Sequence, residues 1–229
     1  MPLIYALLLF LESRFAARPY VEVPGWPRLG LQFFVMVLAL GSIFPLLLPL
    51  SWMAEHSLLN LSPLGLWGIP IGVLASSFLG YGLHRAEHHW HWLWRASHQL
   101  HHSALRIDIA GAYVVHPVEL LLKLLLANGV GIYLLGLTPL AAAAVGVLSA
   151  SLSLWQHFNI HTPHWLGYLI PRPESHALHH EYGVHARNYG DLPLWDMLFG
   201  SFENPRTPRL HRVGFEPQAS ARVRDMLLM

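Results

Sequence analysis

Ten histidines fall into four close-set groups: His84 and His88 in HRAEHH, His98, His101 and His102 in HQLHHS, His157 and His161 in HFNIH, and His176, His179 and His180 in HALHH. Spacings of three and four residues put side chains on one face of a helix, so each group is expected to aim two or three imidazoles in one direction. Convergent imidazoles repel when protonated, and each needs a partner when neutral and buried. A metal answers both demands, because imidazole is the commonest metal-binding side chain. Ten nitrogens are too many for one ion. Two ions, each with roughly five nitrogens and an open position, use the set. Iron, zinc, copper and nickel all accept such ligands, so ligand type alone does not choose among them.

The other histidines carry weaker signals. His56 reads as a loop residue, and His91 lies among tryptophans at an expected membrane interface. His89 adjoins His88 but lacks its i,i+4 relation to His84, so His88 is the preferred ligand. His164, His185 and His211 read as ordinary polar residues. His116, just before Pro117, either orients the site or caps a helix.

The elements that must position these groups are apolar. Of 229 residues, 54% are hydrophobic and 12% charged, half the charge of a typical soluble domain (about 25%). A formal net charge of +1 argues against a nucleic-acid partner. The absence of cysteine excludes disulfides, thiolate zinc sites and iron–sulfur clusters. Four stretches approach the roughly 20 residues needed to span a bilayer: 29–50, 64–83, 118–136 and 139–155. The last two form a tight hairpin, with Pro139 in a first turn where its missing N–H costs nothing. The fourth is rich in Ala, Ser and Gly, which let helices approach closely in lipid. Residues 3–11 read as an interfacial or partly buried helix rather than a signal peptide.

Among the 14 Lys and Arg, every one but Lys123 falls before the first span, between the second and third, or after the fourth. Lys123 follows Glu119 by four residues, where the pair can shield each other. All basic segments, and all four histidine groups, therefore lie on one side, expected to be the cytoplasm. The predicted fold is all-α: an integral membrane helical bundle of about four spans with a cytosolic histidine-rich helical cap. We divide this single membrane domain, 1–229, into an interfacial segment (1–28), spans within 29–83 and 118–156, a metal-binding cap (84–117 and 157–204) and a tail (205–229) with a short last helix.

From Tyr81 to Phe202 the motifs HRAEH, LWRASHQLHHS, His116-Pro117, QHFNIHTP, HALHHE, NYG and LWDMLFGSF resemble, in order, the fatty acid hydroxylase / sterol desaturase superfamily of membrane di-iron enzymes. The resemblance implies that all ten grouped histidines, His84, His88, His98, His101, His102, His157, His161, His176, His179 and His180, are metal ligands. It implies two iron ions as cofactor, with zinc a substitute in purified protein, and O₂-dependent hydroxylation or desaturation of an unactivated C–H bond in a lipid such as a fatty acyl chain or sterol. Electrons would come from a separate reductase, ferredoxin or cytochrome; Arg95, Arg106, Arg206 and Arg209 could form its docking face or simply be solvated charge. Ligating histidines usually give their other N–H to a carboxylate or carbonyl, which singles out Glu87, Glu181, Asn188, Tyr189, Asp191, Asp196 and His116 as supporting residues. Residues 71–83 lack the acidic residue that many relatives carry ahead of the first box.

Three other classes meet the composition less well. A bis-histidine haem protein needs histidines facing each other within the bilayer. A metal transporter places ligands near the membrane midplane. A zinc-dependent membrane hydrolase needs fewer ligands and a carboxylate base.

Overall fold

The computed structural model describes residues 1–184, 186–206, 212–216 and 219–228. His185, Arg209 and His211 lie outside the described residues. Among those described, the chain is helical, with no strand beyond one isolated antiparallel bridge between Glu181 and Val213. The α-helices are α1 (Pro2–Phe15), α2 (Trp26–Ile43), α3 (Leu50–Glu55), α4 (Ile69–His89), α5 (His91–Leu93), α6 (Gln99–His102), α7 (Pro117–Asn128), α8 (Pro139–His157), α9 (Pro173–His179), α10 (Pro193–Phe199) and α11 (Val223–Leu227). Proline occupies the first turn of α1, α2, α4, α7, α8, α9 and α10. Its locked φ suits a helix start and its missing N–H is not needed there.

Four helical segments are long and apolar enough to cross a membrane: Trp26–Leu47, Ser62–His89, Pro117–Leu134 and Pro139–His157. They match the four stretches expected from the sequence, with boundaries shifted by a few residues. This is an integral membrane protein. The hairpin of the last two turns through Leu135–Thr138, where the Thr138 side chain caps α8 by accepting from Ala141 N at 3.2 Å. Gly136 has φ +57° and sits where a Cβ would lie 2.2 Å from Leu59 O, so both backbone and space require glycine. Val130, Leu135, Leu137, Ala141 and Val145 form the apolar cluster at this end, packed on Ile69 and Val73 of α4.

At the opposite ends of α4 and α8 the chain is more polar inside. The segment between α6 and α7 has no long helix yet is almost wholly buried. A buried irregular segment needs partners for its main-chain polar groups, and two carboxylates supply them. Asp108, fully buried, accepts from Gly111 N at 2.8 Å and Trp26 Nε1 at 3.0 Å. Glu12 of α1 accepts from Ile109 N at 3.1 Å and Asn159 N at 2.7 Å. Helix α1 is thus partly buried, as residues 3–11 suggested, and its last turns pin the loops that carry the histidines. Tyr5, Phe34, Ile109, Tyr113, Leu154 and Phe158 close the core beneath it.

Candidate metal centre

Helix α4 leaves the membrane segment without a break and carries His84 and His88 on successive turns. The second box follows on a short irregular helix whose Trp94–His98 segment is a π-helical turn, with Gln99 N bonding Trp94 O. Such turns are rare, cluster at functional sites and re-aim the residues beyond them. His157 ends α8, and α9 supplies His176 and His179, with His180 as its C-terminal cap.

Among the described residues nine imidazoles converge, in two groups. His84, His88, His98, His102 and His179 form one; His101, His157, His176 and His180 form the other, and within each group the candidate ligand atoms lie within 4.8 Å of one another. The groups are adjacent, since the His102 and His180 rings stack at 4.1 Å across them. The expectation that each box aims in one direction needs correction. In both HxxHH boxes the first and last histidines, i and i+4, join one group and the middle one, i+3, joins the other. At 100° per residue, i and i+4 lie about 40° apart, whereas i+3 falls about 60° to the other side. A box seated between two centres therefore feeds both.

His161 is the second correction: the structure does not bring it to either group. Helix α8 ends at His157, and Phe158 turns extended at φ −65°, ψ 120°. The i,i+4 face that would have aligned His161 with His157 is lost. Its exposed side chain lines an open cleft of about 370 Å³ with Leu11, Phe15, Phe158 and Ile160. The choice of His88 over His89 matches the geometry: His89 is absent from both groups and packs its ring against Trp90.

The protonation of the rings follows from their partners. His84 Nδ1 donates to Tyr189 O at 2.6 Å, His179 Nδ1 to Arg187 O at 2.7 Å and His157 Nδ1 to Ser153 O at 2.7 Å. Their Nε2 atoms then present lone pairs inward, and each meets another imidazole Nε2: His84–His98 at 2.9 Å, His102–His179 at 3.1 Å, His101–His157 and His157–His176 at 3.2 Å. Burial is the main force holding His98, His102, His176 and His180 neutral, well below the ordinary imidazole range, aided by His84, His180, His157 and His176 respectively. Burial, then His157, pushes His101 down to about 3. A proton on the second ring could bridge one such pair, but the single lone pair of His157 Nε2 meets two rings, and a cation serves all of these nitrogens at once. With metal–nitrogen bonds of about 2.1 Å, adjacent nitrogens on one ion stand about 3 Å apart. The residues fit metal ions.

The loop Arg187–Gly190 supplies two of the carbonyls, and its backbone is unusual. Arg187 and Asn188 have φ of +72° and +47°, which non-glycine residues rarely adopt. Asn188 Nδ2 ties the loop to Ser175 O and Glu203 O, both at 2.9 Å. The Asp196 carboxylate accepts from Tyr189 N and Gly190 N at 2.8 Å and from Ser201 Oγ at 2.7 Å; burial pushes its pKa up and these donors oppose that. Glu181 and Glu203 both pair with Arg187. Asn188, Glu181 and Asp196 therefore act on the histidines through the main chain. Asp191 is half-buried beside this loop and joins neither imidazole group. His116 is a helix cap, accepting from Val118 N at 3.1 Å. Glu87, fully buried, accepts from Ser97 Oγ at 2.9 Å and stands 3.8 Å from His98 Nδ1.

Sequence reasoning missed Arg172 and the site role of Glu119. Arg172 is 2% exposed and donates to Thr162, Asn204 and Pro205 while pairing with Glu174, which fixes the start of α9. An arginine opening a helix beside a proline gives no signal of burial. Glu119 read as half of an i,i+4 pair, but it also faces His98 Nδ1 at 3.2 Å.

A bundle of membrane-spanning helices with clustered, buried imidazoles at one end defines a membrane histidine-box protein. A family profile described as fatty acid hydroxylase matches residues 69–201, more than half of the chain, and the chain belongs to that family. It is 31% identical over 150 residues to an ornithine lipid hydroxylase of Rhizobium tropici, an alignment covering 64% of this chain and 45% of that protein. It is 30% identical over 143 residues to very-long-chain aldehyde decarbonylases of Oryza sativa subsp. indica and subsp. japonica, covering 54% of this chain and 21% of theirs. The chain spans less than half the length of these curated relatives. No solved structure matches it.

Proposed function

We propose that this protein is a membrane-bound lipid oxygenase that hydroxylates or desaturates an unactivated C–H bond, with two iron ions held by nine histidines. His84, His88, His98, His102 and His179 hold one ion, and His101, His157, His176 and His180 the other; His161 is left out. The observation that carries the reading is the set of Nε2 pairs at 2.9–3.2 Å, one ring of each pair having its Nδ1–H turned outward to a carbonyl. Two irons, when bound, supply the O₂ activation that attack on such a C–H bond requires. The chain supplies the rest. Main-chain carbonyls hold the tautomers that turn Nε2 inward, and burial keeps the rings neutral and the pocket dry. Helices α4 and α8 bring the site to the edge of the apolar bundle, where a lipid chain can reach it from the bilayer. The decarbonylase relatives do not alter this reading, because the chain matches only a fifth of their length.

The placement of basic residues favours a cytoplasmic site, and we assign electron delivery to a separate protein donor. The test compares total lipids of cells with and without the protein, with iron and a reductase supplied. A lipid gaining one oxygen or losing two hydrogens is expected; an unchanged profile would sink the oxygenase reading. Purified protein should hold about two metal ions per chain by ligand number.

A further inference from the structure

We propose that Glu119 is a positioning residue for the five-imidazole group, holding the His98 ring through Nδ1 so that Nε2 faces inward; this rests on the reading that these imidazoles hold metal. Glu119 is fully buried in the first turn of α7. An ionised carboxylate in such a place costs several kcal/mol unless it is well paired. Two ordinary roles fall short. As third residue of a helix capped by His116 it could complete a capping box, but its Oε1 instead meets Lys123 Nζ at 2.6 Å and His98 Nδ1 at 3.2 Å. The i,i+4 pair with Lys123 engages only Oε1, and the same oxygen also stands against His98 Nδ1.

The contact with His98 completes the account. His98 is 1% exposed, and its buried Nδ1 makes no hydrogen bond; Glu119 Oε1, at 3.2 Å, is the nearest carboxylate oxygen. With Nε2 turned to a metal shared with His84, whose Nε2 stands 2.9 Å away, the proton of the ring sits on Nδ1, on the side of the carboxylate. Glu87 Oε2 lies farther away, at 3.8 Å, while Ser97 binds the other oxygen of that carboxylate. A carboxylate behind a ligating imidazole fixes its orientation and raises its basicity. No carboxylate stands within ion-pair distance of His101, His157, His176 or His180 among the described residues.

The test loads the full-length protein with metal and follows release to a chelator, and in parallel records the visible spectrum of the cobalt-loaded form. Glu119→Gln keeps the shape and removes the charge. It should release one metal at least about tenfold faster, leave the other at the wild-type rate, and shift the cobalt bands of one centre. Two wild-type release rates with an unshifted spectrum would overturn the proposal and leave the two-metal reading standing. So would equal acceleration of both metals with a lower Tm, which marks a merely structural role. Wild-type protein that takes up no metal would instead overturn the underlying reading. Should Glu119→Gln not fold, Glu119→Asp, with its carboxylate withdrawn by one methylene, is scored on the same outcomes.

Discussion

The two imidazole groups draw on the same histidine boxes and are supported differently. The five-membered group has His84 and His179 tied to carbonyls of the Arg187–Gly190 loop and His98 backed by Glu119. In the four-membered group only His157 has such a tie among the described residues, to Ser153 O within its own helix; the Nδ1 atoms of His101 and His180, like that of His98, are buried with no hydrogen-bond partner. The five-membered group thus has two main-chain ties and a carboxylate within ion-pair distance, and the four-membered group has one tie and no such carboxylate among the described residues. Ligand number points the same way, since a centre with four protein nitrogens retains more open positions than one with five.

The largest expected effect tests that asymmetry directly. His157→Ala removes the ring whose Nε2 meets both His101 and His176. It leaves three nitrogens, and metal content should fall from about two ions per chain to about one, with loss of activity of at least ~100-fold. His84→Ala leaves four nitrogens in the other group. That variant should keep its ion, bound ~10–100-fold more weakly. Metal analysis on both purified variants checks the pair. Equal losses would show that the two centres are equally robust, and unchanged content in both would sink the ligand assignment.

Next in size is the support loop. Asp196→Ala strips the acceptor from Tyr189 N, Gly190 N and Ser201 Oγ, all close to a buried carboxylate. Unsatisfied buried donors cost about 1–3 kcal/mol each, and Arg187 and Asn188 would no longer be held in their left-handed conformations. We expect thermal unfolding to drop and metal loss to fall on the five-membered group. Loss from the four-membered group alone would contradict this division of support.

A smaller effect is expected from pH on metal-free protein. The folded-state pKa values of His98, His101, His102, His176 and His180 are all lowered by burial, that of His101 to about 3. The unfolded chain binds protons from about 6.5 downward while the folded one does not. Stability is therefore full above about 6.5 and falls as pH drops toward 3. Bound metal should move the acid transition lower, because it competes with protons for the same nitrogens. Unfolding curves from pH 7 to 4, with and without metal, measure both; coincident curves would mean that the rings are not the metal ligands.

Much of this was legible in the sequence, for physical reasons. The spans show as apolar runs, and helix starts show as prolines at Pro117, Pro139 and Pro173. Nine histidines show as repeated boxes because helical spacing is local. What did not show depends on long-range contact. The split of His101 from His98 and His102 arises only when a box is seated between two centres. Glu12 sits in an apolar helix and serves loops at Ile109 and Asn159, and no local pattern announces such a partner. Asp196 was visible as a nearby carboxylate, but its action through the Tyr189 carbonyl was not.

The smallest expected effect is the one that separates local pattern from assembled geometry. His157 and His161 form an i,i+4 pair by sequence, and on a continuous helix either substitution should cost metal. The chain leaves the helix at Phe158, and His161 is exposed beside Phe15 and Ile160. His161→Ala should therefore leave metal content at about two ions per chain and stability within about 0.5 kcal/mol, the usual range for a surface substitution. Set beside His157→Ala, this tests where α8 stops. Metal loss in His161→Ala comparable to that in His157→Ala would require α8 to continue past Phe158 when metal binds, and would restore the tenth ligand to the four-membered group.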